Sequence, residues 1–197
     1  LVPKLRAVYR PPDKTKDAGN STASKKLTTP SSRNKNSQNI SVIVIGVSTG
    51  GPSALADILP HLTVEKAPPI VVVQHMPKEF TGHLADRLSK MCKHRVCEAH
   101  HGQALKPEHI YLAPGGSHLE IEKHGKEARL VLHDGPPENS CRPSVDVLFR
   151  SAAKIFHSDT LGLVLTGMGN DGLQGCKVIS SEGGVVIAQD EPSSVVW

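Results

Sequence analysis

Ile40-Ser41-Val42-Ile43-Val44-Ile45-Gly46-Val47-Ser48-Thr49-Gly50-Gly51-Pro52 is the stretch on which the fold turns. Its first half is a near-continuous β-branched run, the pattern of a strand buried on both faces. Its second half breaks into glycines, a proline and two hydroxyl side chains, the composition of a sharp turn into a helix. A strand that is apolar throughout and feeds a helix belongs to a parallel sheet covered by helices on both sides.

The same alternation continues downstream. Pro52–Leu59 reads as a helix, Ile70–Val73 as a strand and Thr81–Met91 as a helix. Ile110–Ala113 follows as a strand, Val145–Ile155 as a helix, Leu161–Leu165 as a strand, Gly172–Ser181 as a helix and Val185–Ala188 as a strand. The expected architecture is α/β: a doubly wound, mostly parallel, Rossmann-like sheet with helices on both faces. Leu119–Glu122 and Leu130–His133 flank Lys123-His124-Gly125-Lys126 and predict a small antiparallel hairpin excursion.

Upstream of Ile40 the character changes. Residues 1–39 hold nine Lys and Arg against two Asp, whereas residues 40–197 hold fourteen against seventeen Asp and Glu. The formal charge of +4 therefore comes from the head of the chain. Residues 11–39 are rich in Ser, Thr, Asn, Lys and Pro, with Leu27 as their single large aliphatic residue. Such a segment buries too little apolar area to offset its conformational entropy, so a disordered basic linker is expected. Leu1–Arg10 keeps some apolar residues and reads as the end of something upstream. The expected division is a linker region over 1–39 and one domain over 40–197.

Composition excludes several classes. Aliphatic runs such as Ile70–Val73 fall far short of the ~20 residues that span a bilayer, so no membrane insertion is expected. Four cysteines without a C-x-x-C pair read as reduced thiols of a cytoplasmic protein. With aromatic residues at 3% and a mildly acidic main domain, nucleic-acid binding is not expected.

Ligands of open parallel sheets bind beyond the carboxyl ends of the strands. Three reactive residues fall at such places: Ser48 in Gly46-Val47-Ser48-Thr49-Gly50, His75 in Gln74-His75-Met76-Pro77, and Asp171 in Gly167-Met168-Gly169-Asn170-Asp171-Gly172. The first fits G-x-S-x-G, a turn that exposes a serine hydroxyl beside a helix N-terminus. A histidine could take the serine proton, and an aspartate could hold the imidazole tautomer. The chain order Ser, His, Asp differs from the Ser, Asp, His of α/β-hydrolases.

Plainer readings stand beside these. The glycine turn could cradle a phosphate, although both the G-x-G-x-x-G fingerprint and the Walker lysine are absent. His75 could be an ordinary loop histidine, and Asp171-Gly172 a turn and helix cap. The histidine-rich stretch His94–His101 lacks zinc-ligand spacing, so no metal is expected. Cys176 reads as core and Cys141 as a loop thiol.

Taken together, Val47–Pro52, Gln74–Pro77, Tyr111–His118, Arg142–Phe149 and Thr166–Gly172 resemble the CheB-type chemotaxis protein-glutamate methylesterases, from about Ile43 to Trp197. Members of that family hydrolyse γ-glutamyl methyl esters on chemoreceptor cytoplasmic helices, releasing methanol, and many deamidate receptor glutamines. The resemblance carries the catalytic serine, histidine and aspartate onto Ser48, His75 and Asp171. It also implies that Thr49 borders the nucleophile, that the Met168 N–H serves the oxyanion, and that Arg142–Asp146, Arg142 among them, belong to the loop lining the substrate groove. A surface ion pair is the other reading of Arg142. The implied partners are methylated chemoreceptor cytoplasmic domains and a receiver domain preceding the linker; no cofactor is implied. The family pattern also continues past Trp197, which predicts a C-terminally truncated catalytic domain. A phosphate- or nucleotide-binding module without catalysis is the alternative.

Overall fold

The computed structural model describes residues 6–7, 39–62 and 65–197. The linker expected over 1–39 lies almost wholly outside these; of it only Asn39 and Arg6–Ala7 are placed, the latter as a two-residue strand (β1). The main elements then run β2 (Val42–Val47), α1 (Gly51–Leu62), β3 (Ile70–Gln74), α2 (Lys78–Ser89), β4 (Arg95–Glu98) and β5 (His109–Leu112). They continue with β6 (His118–His124), β7 (Glu127–His133), α3 (Val145–Phe156), β8 (Thr160–Val164), α4 (Leu173–Ser181) and β9 (Val185–Ala188).

The sheet order is β1-β9-β8-β2-β3-β5-β4, and every pairing is parallel except that of β1 with β9. β6 and β7 form the separate antiparallel hairpin. The expected α/β architecture with a hairpin excursion is therefore the observed one.

β2 shows why a period-2 chain with no polar residue must sit in the middle. Val42 and Val44 join Phe149, Leu148 and Ile179 of α3 and α4 in one core. Ile43, Ile45 and Val47 join Leu55 and Leu59 of α1 and Leu84 and Leu88 of α2 in the other. Adjacent side chains point to opposite faces, so each face recruits its own helix pair. The hairpin adds Leu119, Ile121 and Leu130 to the first core, and Cys176 packs against it from α4.

Arg95–Glu98 is a strand that apolar periodicity does not announce. It is a four-residue edge strand in which only Val96 is buried and Cys97 is half-buried, between an arginine and a glutamate. Short, charged edge strands resist unwanted pairing, and that same composition hides them from pattern reading.

β2 lies between β3 and β8, reached by chain connections that leave in opposite directions. The crevice at such a switch point, beyond the carboxyl ends, is where an open parallel sheet receives a ligand.

Candidate active site

Ser48 leaves the end of β2 half-buried. Its N–H donates to Thr166 O at 3.0 Å, while its carbonyl accepts from Gly51 N at 2.9 Å. Gly50 takes φ +83°, the left-handed geometry that closes this turn into α1. Gly46 serves a different purpose from the turn flexibility its motif suggests. A Cβ there would stand 2.3 Å from Val145 Cγ1, so glycine lets the start of α3 close onto the end of β2.

His75 follows β3, its N–H bonded to Val47 O at 3.1 Å. Gln74, buried beside it, donates through Nε2 to Ser48 O and to His75 O, each at 3.0 Å. One amide thus ties the serine turn to the histidine turn. On the ring, Nε2 lies 2.8 Å from Asp171 Oδ2. Nδ1 faces Cys141 Sγ at 3.8 Å.

Asp171 does not cap its own helix. The residue before α4 is Gly172, without a side-chain cap, and the Asp171 carboxylate turns instead to the N-terminus of α3. Oδ2 accepts from Val145 N at 2.7 Å as well as from His75, while Oδ1 accepts from Ser144 Oγ at 2.6 Å, Asn139 Nδ2 at 3.1 Å and Asp146 N at 3.1 Å. Burial pushes its pKa up, but the hydrogen bonds from His75, Ser144, Val145 and Asp146 outweigh it and hold the carboxyl well below the ordinary range. The positive end of the α3 dipole acts in the same direction. Asp171 is thus an ionised acceptor, so Nε2 of His75 carries the shared hydrogen and the neutral ring offers its lone pair at Nδ1.

Behind this carboxylate sits a second one. Asp146 is buried, accepting from Gly175 N at 2.6 Å and from Asn139 Nδ2 at 2.9 Å. The loop carrying Asn139 and Cys141 is closed by paired bonds between the Glu138 and Cys141 backbones, 3.1 and 2.9 Å. Arg150 of α3 clasps Glu138 with two bonds of 2.6 and 2.7 Å. That bidentate pair lowers the Glu138 pKa and raises that of Arg150. Burial, and then the Asp171 charge, push the Cys141 thiol up.

Ser48, His75, Met168 and Asp171 line one small cavity of about 80 Å³, with Gly46, Gly167 and Val145. Among the described residues the Ser48 hydroxyl has no hydrogen-bond partner, so the histidine and aspartate are engaged while the serine is not. Thr49 is exposed beside Ser48, its carbonyl accepting from Thr166 Oγ1 at 2.9 Å. Met168 is 81% exposed at the cavity mouth. Arg142 forms no ion pair among the described residues. It donates to Asp134 O and Gly135 O at 3.2 and 3.1 Å and borders a neighbouring groove of about 440 Å³ with His75, Lys78 and Cys141.

Sequence reading missed Gln74 and Asn139 as members of this site, and it placed Ser144 and Asp146 only in the loop lining the substrate groove, not around Asp171. Ser144-Val145-Asp146 before an apolar helix carries a recognisable helix-start signature. Nothing in it tells that a carboxylate from another loop would take up the helix N–H groups. Gln74 adjoins His75 in the chain, yet its amide role depends on how close β2 and β3 ends lie.

Comparison with known proteins bears on the whole domain. Residues 43–197 match the model of the CheB methylesterase family. The chain is 50% identical over 158 residues to a protein-glutamate methylesterase/protein-glutamine glutaminase of Trichodesmium erythraeum, covering 80% of this chain and 45% of that protein. A group 2 operon protein of the same designation from Rhodopseudomonas palustris is 49% identical over 157 residues, covering 79% of this chain and 40% of the relative. The chain therefore spans less than half the length of these relatives. Among solved structures, the Thermotoga maritima CheB methylesterase catalytic domain superposes with a TM-score of 0.78 at 42% identity, over 80% of this chain and 83% of that one.

Proposed function

The chain belongs to the CheB methylesterase family, and from that premise we propose that it is a serine hydrolase of glutamate methyl esters on chemoreceptor cytoplasmic helices, with glutamine deamidation as a second activity. Ser48 is the nucleophile, His75 the base and Asp171 the group that orients the imidazole. The observation that carries this reading is the His75–Asp171 contact of 2.8 Å, made to a carboxylate that the start of α3 keeps ionised, in the cavity that Ser48 also lines.

Because Nε2 faces Asp171, the base nitrogen is Nδ1. Ser48 Oγ attacks the γ-ester carbonyl while Nδ1 takes its proton, and Asp171 stabilises the imidazolium that results. The tetrahedral oxyanion is held by backbone N–H groups at Met168 and in the turn after Ser48, where the start of α1 adds its dipole. Collapse expels methanol, protonated by the imidazolium, and leaves a glutamyl ester on Ser48. Water, deprotonated by the same nitrogen, cleaves that ester and returns free glutamate and the serine hydroxyl. A glutamine side chain would follow the same course with ammonia as leaving group. The unbonded Ser48 hydroxyl is compatible with this scheme, since catalytic contacts commonly tighten only when substrate fills the site.

Thr49 and Arg142 serve as borders of the substrate path. The alternative phosphate cradle is less well supported, because Gly51 N and Ala54 N of that turn already donate to Ser48 O and Gly50 O. No helix among the described residues is long and apolar enough to cross a membrane. A cytoplasmic setting, with residues 1–39 linking this domain to a receiver domain, fits the receptor helices proposed as substrate.

Methanol release from methyl-esterified chemoreceptor cytoplasmic fragments tests the proposal, with Ser48→Ala as the control. Serine-dependent release is expected; release by both proteins alike would remove Ser48 from the mechanism.

A further inference from the structure

The two ring nitrogens of His75 meet different partners, and one of these, the Cys141 thiol, takes no part in the chemistry above. Nε2 is 2.8 Å from Asp171 Oδ2, whereas Nδ1 lies 3.8 Å from Cys141 Sγ. A histidine whose one N–H is held by a carboxylate, with its other nitrogen free to donate, is arranged as metal-ligating histidines are. Among the described residues, His75, Cys141 and Asp171 are the one trio of His, Cys, Asp or Glu whose ligand atoms gather within 4.8 Å.

We propose that His75 Nδ1 and Cys141 Sγ form an inhibitory site for a thiophilic divalent cation of the zinc class, with Asp171 orienting the imidazole from behind. The separation carries the argument. Zinc sits about 2.0–2.1 Å from a histidine nitrogen and about 2.3 Å from a thiolate, so a 3.8 Å gap corresponds to an N–Zn–S angle of about 120°. That is near tetrahedral and requires little movement of either residue. Asp171 is not a ligand, because five donors already occupy its oxygens.

Cys141 is held for this role by its paired backbone bonds to Glu138. In front of both ligands the groove of about 440 Å³ leaves room for water to complete the coordination. On binding, the thiol proton passes to water as the sulfur–metal bond forms, and no electron is transferred. Two protein ligands make a reversible site, short of the four that define structural zinc. Magnesium and calcium, which seek oxygen ligands, are not expected to use it.

Occupancy takes the lone pair that would accept the Ser48 proton. This inhibitory consequence rests on His75 acting as proposed above; the binding itself does not. Zinc chloride titrated calorimetrically into the untagged chain, the Cys141→Ser variant and the His75→Ala variant tests the binding. Cobalt(II) spectra report whether a thiolate is coordinated. The expected result is one site whose affinity falls roughly tenfold or more in either variant, with a thiolate-to-cobalt band that Cys141→Ser abolishes. Equal zinc affinity in wild type and Cys141→Ser, or a band that survives that substitution, overturns the site.

In the methanol assay, zinc at its binding concentration should silence the wild type while Cys141→Ser keeps releasing methanol. Zinc that binds through Cys141 without slowing the wild type overturns the inhibitory role. Should neither protein release methanol, the titration and spectra still decide the metal site, and the hydrolase reading fails separately.

Discussion

At the scale of single residues, the carboxylate of Asp171 joins structure to chemistry. It accepts from the imidazole, from two N–H groups of α3, from a serine and from an asparagine. Its pKa is lower in the folded chain than in the unfolded one, so between those two values the unfolded state binds more protons. The stability it contributes is complete above an unfolded carboxyl pKa of about 3.9 and is lost as pH falls through the folded value. Melting temperatures recorded from pH 6 down to pH 2 should therefore fall less steeply for Asp171→Asn than for the wild type. In activity, the same variant should lose on the order of 10⁴ in kcat, because an amide does not select the tautomer that leaves Nδ1 free. Ser48→Ala should lose three or more orders of magnitude. Its melting temperature should stay within about 2 °C, since a hydroxyl without a partner holds nothing together. A collapse of thermal stability in Ser48→Ala would make Ser48 a structural residue.

At the scale of elements, the site depends on how closely α3 approaches β2. Gly46 sets that distance, with no room for a Cβ against Val145. Gly46→Ala is expected to destabilise by about 1–3 kcal/mol through overpacking and to reduce methanol release by displacing the N–H groups that hold Asp171. Val145→Ala in the same chain should recover part of both losses. A double-mutant cycle of urea melts measures this, and strict additivity would show that Gly46 and Val145 do not press on each other. The Glu138–Arg150 clasp braces the loop from the outer side of α3, each side chain a little over one third exposed. Glu138→Gln should cost no more than about 1 kcal/mol, as is usual for exposed pairs. Calorimetry should record that as a drop of about 2–4 °C.

At the scale of the whole molecule, two cores lie on opposite faces of one sheet, and each is closed by its own helices. Phe149 is fully buried in one and Leu55 in the other. Phe149→Ala should cost about 3–5 kcal/mol and Leu55→Ala about 2–5 kcal/mol. The two costs should add in the double variant, since they share no packing partner across the strands. Residues 1–38 contribute a two-residue strand at the sheet edge beside β9. Removing them should leave the melting temperature within a few degrees and serine-dependent methanol release in place, as thermal melts and the methanol assay would establish. A chain that unfolds without them would make this segment part of the domain.

Much of this was written in the chain itself. A strand with no polar residue cannot sit anywhere but between two covered faces, so Val42–Val47 announced the doubly wound sheet, and Ser48, His75 and Asp171 follow strand ends, where such sheets receive their ligands. Local pattern did not reach the edge strand Arg95–Glu98, where one buried residue leaves no period to read. Nor did it reach the company Asp171 keeps. Asn139, Ser144 and Asp146, which join His75 around it, lie 25–32 residues before it. Hydrogen bonds between segments so far apart depend on how helices and strand ends meet in space. The sequence determined which elements form and which faces they bury, because those follow from neighbours along the chain. Tertiary structure decided that Asp171 would cap α3 in place of its own helix, and that His75 Nδ1 would stand before Cys141.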